Sequence, residues 1–230
     1  MKSFNDDRIR FFQNRNDGII AVNRNYGINK SNGEFIAFCD DDDLWIKNKL
    51  EDQFENITKY NADMVYSICK LFGQINFFSN FFGIFPSPNR VKISQDSLLK
   101  YNTVPLCTVM VKKEVLDEFN GFNTQKKYSG IEDYELWLRL FKSKSIMFIP
   151  RIHAYYRIHP NMTQLQNASN DIGIRELHNK YKSNHKYKSF NNSRSKQVNF
   201  LRNIHYIFIE ALIKLKIFNL RIFRQNFIKS

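Results

Sequence analysis

An α/β fold is what this sequence predicts, and three observations carry the prediction. Glu34-Phe35-Ile36-Ala37-Phe38-Cys39 is a nearly continuous apolar run, the pattern of a strand buried on both faces. A second such run, Met64 to Leu71, follows a stretch with helical spacing. Strands and helices then go on alternating, which argues for a sheet flanked by helices. The chain has 230 residues, 43% of them apolar, enough to bury one ordinary core.

Each element has a local reason. Ile9, Phe11 and Phe12 read as a short strand, and Gly18 to Asn32 as a helix ended by the Asn32-Gly33 turn. The first buried strand stops at four aspartates, Asp40 to Asp43. Leu44-Trp45 follow, and Ile46 to Tyr60 is a helix with Leu50, Phe54 and Ile57 at helical spacing. Residues 72 to 90 are rich in Phe with Gly and Pro breakers, the mark of an aromatic surface loop of the kind that often covers a site. Ser94 or Asp96 caps a short helix to Tyr101, Val104 to Val111 is a strand broken by Pro105, and Lys113 to Phe119 is a helix closed by Asn120-Gly121. Glu132 to Phe141 is a helix, and Ile146 to Ile149 and Ala154 to Ile158 are two strands that complete the body. Residues 160 to 200, rich in Asn, Ser and Lys, form a helix-bearing, loosely packed connection. From Val198 to Ile228 an apolar stripe (Leu201, Ile204, Phe208, Leu212, Leu215, Ile222) alternates with Lys and Arg, a basic amphipathic helix.

The net charge of +13 is unevenly spread: residues 180 to 230 carry +11 and the rest only +2. Basicity therefore belongs to the tail. No RNP, zinc-finger or helix-turn-helix pattern accompanies it, so nucleic acid is not an expected partner. An anionic membrane surface is, through residues 198 to 228. Cys39, Cys69 and Cys107 are far apart and form no CxxC pair, which excludes a disulfide framework and a cysteine-rich zinc module and suits a reducing compartment. The polar amino terminus and the lack of 18 consecutive apolar residues argue against secretion and membrane spanning, so the expected location is cytoplasmic, with peripheral attachment at the inner membrane face.

Two acidic groups carry the candidate chemistry. On an extended chain Asp40 and Asp42 share a face while Asp41 points away. Two carboxylates that close repel, and a divalent cation lets both stay ionised; oxygen ligands suit Mg²⁺ or Mn²⁺, which complete their shell with water and phosphate. A calcium loop of the EF-hand type fails, because Trp45 stands where its sharp turn needs Gly. The bland alternative is an acidic cap on the next helix. The second group, Glu132-Asp133, opens a helix after Tyr128-Ser129-Gly130-Ile131, and position alone leaves two roles open: a helix-start acid or a general base.

Read together, several segments resemble one family. They are Asn16-Asp17-Gly18 through Arg24-Asn25-Tyr26-Gly27-Ile28, then Gly33 to Trp45 with its acids, then Gly121-Phe122 with Glu132-Asp133-Tyr134-Glu135-Leu136-Trp137, and finally Tyr156-Arg157-Ile158-His159. In this order they resemble the motifs of family 2 inverting glycosyltransferases, over roughly residues 8 to 162. The resemblance implies a GT-A fold in residues 1 to 162, with residues 163 to 230 a basic helical extension. It implies a hexosyltransferase using a nucleotide-sugar donor, a divalent cation (Mn²⁺ or Mg²⁺) and a glycan or lipid-linked acceptor. Asp40 and Asp42 match the DxD motif, and Asp42, Asp40 and His159 become the expected metal site. Arg24, Asp40, Asp41 and Asp42 become the donor-binding set, and Asp133 the catalytic base. Trp45 and Trp137 are expected in the core rather than under a sugar. Family members usually begin two strands earlier, so the expectation is a shortened domain, the alternative being an inactive remnant that serves as a binding or membrane-surface module.

Overall fold

The computed structural model describes residues 6–73, 84–86, 95–100, 102–159 and 170–182. Within them the chain runs α1 (Ile20–Lys30), β1 (Phe35–Ala37), β2 (Leu44–Trp45), α2 (Lys49–Lys59), β3 (Met64–Gly73), β4 (Ile84–Phe85), α3 (Gln95–Lys100), β5 (Met110–Lys112), α4 (Lys113–Glu118), α5 (Glu132–Leu140), β6 (Ile146–Ile158) and α6 (Asn170–Lys182). The strands form one mixed sheet in the order β1-β5-β3-β6-β2, with β4 also on β3. β3 and β6 pair in parallel through the middle, and the remaining pairings are antiparallel.

Alternation along β3 divides the core. Met64 and Tyr66 point to one face, where Ala21 and Ile28 of α1, Leu116 of α4, Leu136 and Trp137 of α5 and Leu177 of α6 pack on them. Val65 points to the other, against Ile57 of α2, Met110 and Ile149. Each fully buried aliphatic or aromatic side chain here contributes about 1.5–3 kcal/mol relative to its exposed state. The body takes in α6 and so extends past residue 162, where the sequence placed its end. Leu177 and Tyr181 explain why: both are buried in the main core.

Four sequence expectations are corrected. Ile9 to Phe12 form no strand; Ile9, Phe11 and Phe12 are exposed, and among the described residues no strand lies beside them. In β1 only Ile36 is buried, because β1 ends the strand path, paired with β5 alone, and is not covered on both faces. Ile146–Ile149 and Ala154–Ile158 belong to one long strand: two register shifts against β3 absorb the intervening residues, among them Pro150, which has no N–H to give to a ladder. In α2, Leu50 and Phe54 are 45% and 51% exposed although Ile57 is 1% exposed. The helix instead buries Lys49, Asp52 and Gln53, whose polar groups are satisfied there: Gln53 donates to Thr108 O (2.6 Å), Lys49 to Gln53 (2.7 Å), and Asp52 meets both His153 (2.7 Å) and Arg151 (2.6 Å).

Two further details bear on the site. The sequence's strand over Val104 to Val111 is a short 3₁₀ turn, Leu106–Thr108, before β5, with Thr108 Oγ1 donating to Pro105 O (2.8 Å). At the end of β3, Gly73 has φ +102°, and a Cβ there would come 2.6 Å from Ile158 O, so only glycine fits. Most of the aromatic stretch 72 to 90, the tail helix over 198 to 228, and most of residues 160 to 200 lie outside the described residues.

Candidate active site

The carboxyl ends of the parallel strands β3 and β6 open onto a cavity of about 690 Å³. Such crevices are where open α/β sheets bind ligands. Arg24, Asp40, Asp41, Asp42, Asp133 and His159, scattered over 136 positions of sequence, all line it. Cys69 and Leu71 of β3, Tyr156 of β6, Phe85, Val104 and Leu106 make its apolar wall, and Asn102 adds an amide.

The acidic run after β1 is not extended. Asp43 N donates to Asp40 O (3.1 Å), closing a four-residue turn, so the two-residue alternation that paired Asp40 with Asp42 does not apply. Asp41, expected to point away, lines the cavity with the others. Asp40, Asp42 and Asp43 each meet a different partner. Arg24 on α1 donates to both oxygens of Asp40 (2.9 and 3.2 Å), and His159 Nε2 sits 2.9 Å from Asp42 Oδ2 as donor to that carboxylate. Asp43 is buried and accepts the Arg157 N–H (2.9 Å); burial pushes its pKa up to about 6, against that hydrogen bond.

Opposite, the start of α5 presents Glu132 and Asp133. Glu132 is 4% exposed, accepts the Gly130 N–H (2.6 Å) and pairs with Arg24 Nη1 (2.5 Å). Arg24 therefore bridges the two halves of the site. Burial disfavours its charge, but Asp40 and Glu132 outweigh that and hold its pKa above the ordinary value. Asp133 is pushed up to about 7, first by desolvation and then by the negative charge of Glu132; Arg24 and the Tyr134 N–H (2.6 Å) work the other way. A carboxyl poised near neutrality in a cleft is what a general base requires.

Sequence reasoning named Glu132 only as a neighbour of Asp133 and gave Tyr156 no role in the pocket. Adjacency to a candidate base was the one signal for Glu132. Trp137 is fully buried in the main core, and Trp45 packs on Cys69, Cys107 and Ala154 while its Nε1 donates to Cys107 O (3.0 Å) and Phe38 O (3.2 Å); neither lines the cavity.

The fit to a divalent cation rests on the donor set. Among the described residues no three His, Cys, Asp or Glu side chains converge as a preformed cage. Asp42 and His159 supply two partly exposed donors at the cavity wall, which fits a hard cation that takes few protein ligands and fills its shell with phosphate oxygens and water. Among the described residues no helix is long and apolar enough to cross a membrane.

Comparison with known proteins agrees with this architecture. The Escherichia coli UDP-Glc:alpha-D-GlcNAc-diphosphoundecaprenol beta-1,3-glucosyltransferase WfgD is 33% identical over 146 residues, 64% of this chain and 53% of that protein. WfaP of E. coli, named for the same reaction, is 28% identical over 184 residues, 75% of this chain and 68% of that one. The match thus spans about half of one relative and about two thirds of the other. The crystal structure of S. aureus TarS 1-349 in complex with UDP has a TM-score of 0.50 at 16% identity, over 74% of this chain and 47% of that one, a likeness of fold alone. Residues 91–161 match a family described as N-terminal domain of galactosyltransferase. Residues 1–119, more than half of the chain, match Glycosyl transferase family 2, and the chain belongs to that family.

Proposed function

We propose that this chain transfers a sugar from a nucleoside-diphosphate donor to an acceptor hydroxyl, with inversion and with the help of a divalent cation. The observation that supports this best is the cavity itself, which sets Asp40, paired with Arg24, and Asp42, paired with His159, across from Asp133, a lining carboxyl of raised proton affinity. Asp42 and His159 would hold Mn²⁺ or Mg²⁺, the cation taking the place of the proton that joins them. Such a cation, when bound, neutralises charge on a departing nucleoside diphosphate. Arg24 and Asp40 form a rigid pair whose donors and acceptors orient the nucleotide, and Asp41 stands at the same wall. Asp133 accepts the acceptor proton as the hydroxyl oxygen attacks the anomeric carbon from the face opposite the leaving group. One displacement gives inversion.

The E. coli relatives suggest UDP-glucose as donor and a diphosphoundecaprenol-linked GlcNAc as acceptor. The apolar wall of Leu71, Phe85 and Tyr156 suits such a partner, since a sugar's C–H face packs on aromatic surface. The basic segment 198 to 228 is proposed to bring the chain to the anionic surface where that acceptor lies. The test is sugar transfer from UDP-glucose to that lipid, with Mn²⁺ and with EDTA. Transfer that needs the metal and yields a β-glucoside is expected; α-glucoside product would overturn inversion, and undiminished transfer in EDTA would overturn the metal. Salt-sensitive sedimentation of the full chain with anionic but not neutral vesicles checks the surface contact.

A further inference from the structure

We infer that Arg157 is the positioning residue that fixes Asp42 as a metal ligand, gripping its main chain while His159 aligns its carboxylate. The inference rests on the reading of Asp42 given above, and Arg157 itself does not line the cavity.

The β2–β6 ladder pairs Trp45 with Ala154 and Leu44 with Tyr155 and then stops. One step further, Arg157 N–H donates to the side chain of Asp43 (2.9 Å) rather than to a main-chain carbonyl. This substitution lets the backbone leave the sheet and close its turn. Arg157 Nε then donates to Asp42 O (2.8 Å), which sets the plane of the peptide after Asp42. The N–H of that same peptide, Asp43 N, donates to Asp40 O (3.1 Å), so the peptide group after Asp42 is held from both sides before the side chain meets His159.

The guanidinium is itself held, because it lies over the ring of Phe72, its cross-strand neighbour on β3, at 4.4 Å from the centroid. A guanidinium can stack its plane on a ring while Nε, set back along the stem, donates in that plane to a carbonyl; a lysine side chain has only a methylene at that position and carries its donors at its tip. Charge alone would make lysine an adequate replacement, and geometry would not. Partners that orient a metal ligand typically change metal affinity by about 10–100-fold when removed.

The experiment is an Mn²⁺ titration of the full chain followed by electron paramagnetic resonance, alongside UDP titration in EDTA and thermal melting. R157K and R157Q are expected to weaken Mn²⁺ binding by about tenfold with UDP affinity and fold retained, and F72L, which only loosens the stack, by about threefold. Native Mn²⁺ affinity in R157K would overturn the inference, leaving at most an effect of charge. Should the Arg157 variants fail to fold, F72L decides alone: native affinity there overturns the inference. D42N separates this from the underlying reading. If D42N binds Mn²⁺ as the native chain does, the ligand assignment falls and the positioning role with it; if D42N is weakened and R157K is not, only the positioning role falls.

Discussion

The two acidic corners of the cavity use the same side chain for opposite ends. At the Asp40–Asp43 turn, carboxylates at the cavity wall are met by Arg24 and His159. At the start of α5, Asp133 accepts the Tyr134 N–H, and burial and then the neighbouring Glu132 charge raise its pKa to about 7. Negative charge is thus kept where a cation and a diphosphate would be handled and made costly where a proton would be taken up. Arg24 serves both corners, and its second partner, Glu132, is what keeps it from neutralising Asp133 outright.

Four measurements bear on that contrast. The largest effect is expected from Asp42→Asn, which should abolish Mn²⁺-dependent donor turnover with the fold intact, since an amide keeps the shape but not the charge a hard cation needs; turnover assays and circular dichroism check it. Asp133→Asn comes next, lowering transfer by about 10²–10⁴-fold while UDP binds normally, because a base acts on the acceptor; equal loss of UDP affinity would erase the contrast. Third, the rate should rise about tenfold per pH unit below about 7 and level off above, the base being active when deprotonated. Glu132→Gln should shift that break to lower pH by removing a negative neighbour, as a pH profile of kcat/KM would show. The smallest effect is on stability. A folded-state pKa raised from 3.8 to about 7 favours the native state fully below pH 4 and loses that contribution as pH passes 7. Asp133→Asn should therefore melt higher than the native chain at pH 8, by on the order of a few kcal/mol, with the difference closing toward pH 4.

Much of this was legible in the sequence because it is local. A buried apolar run ending in acids marks a strand end, and acids after a glycine-bearing loop mark a helix start, so both corners could be located before their geometry was known. What was not legible depends on contacts distant in sequence. The apolar spacing of α2 grouped Leu50 and Phe54 with Ile57, but the helix turns instead to serve Thr108, Arg151 and His153. The turn at Asp40–Asp43 is set by Arg157, 114 positions after Asp43, and no local rule of alternation anticipates it. Ile9 to Phe12 have strand-forming side chains without a neighbouring ladder, and propensity alone does not make a strand.

Gly73 sets a limit on sequence change at the end of β3. Its backbone conformation and the closeness of Ile158 O reject any side chain, so a substitution there must push against the β6 backbone. Phe72, one residue before, is tied to Arg157 and through it to the acidic turn. A change at residue 72 or 73 would therefore reach the Asp40–Asp43 turn through Arg157, although neither residue lines the cavity.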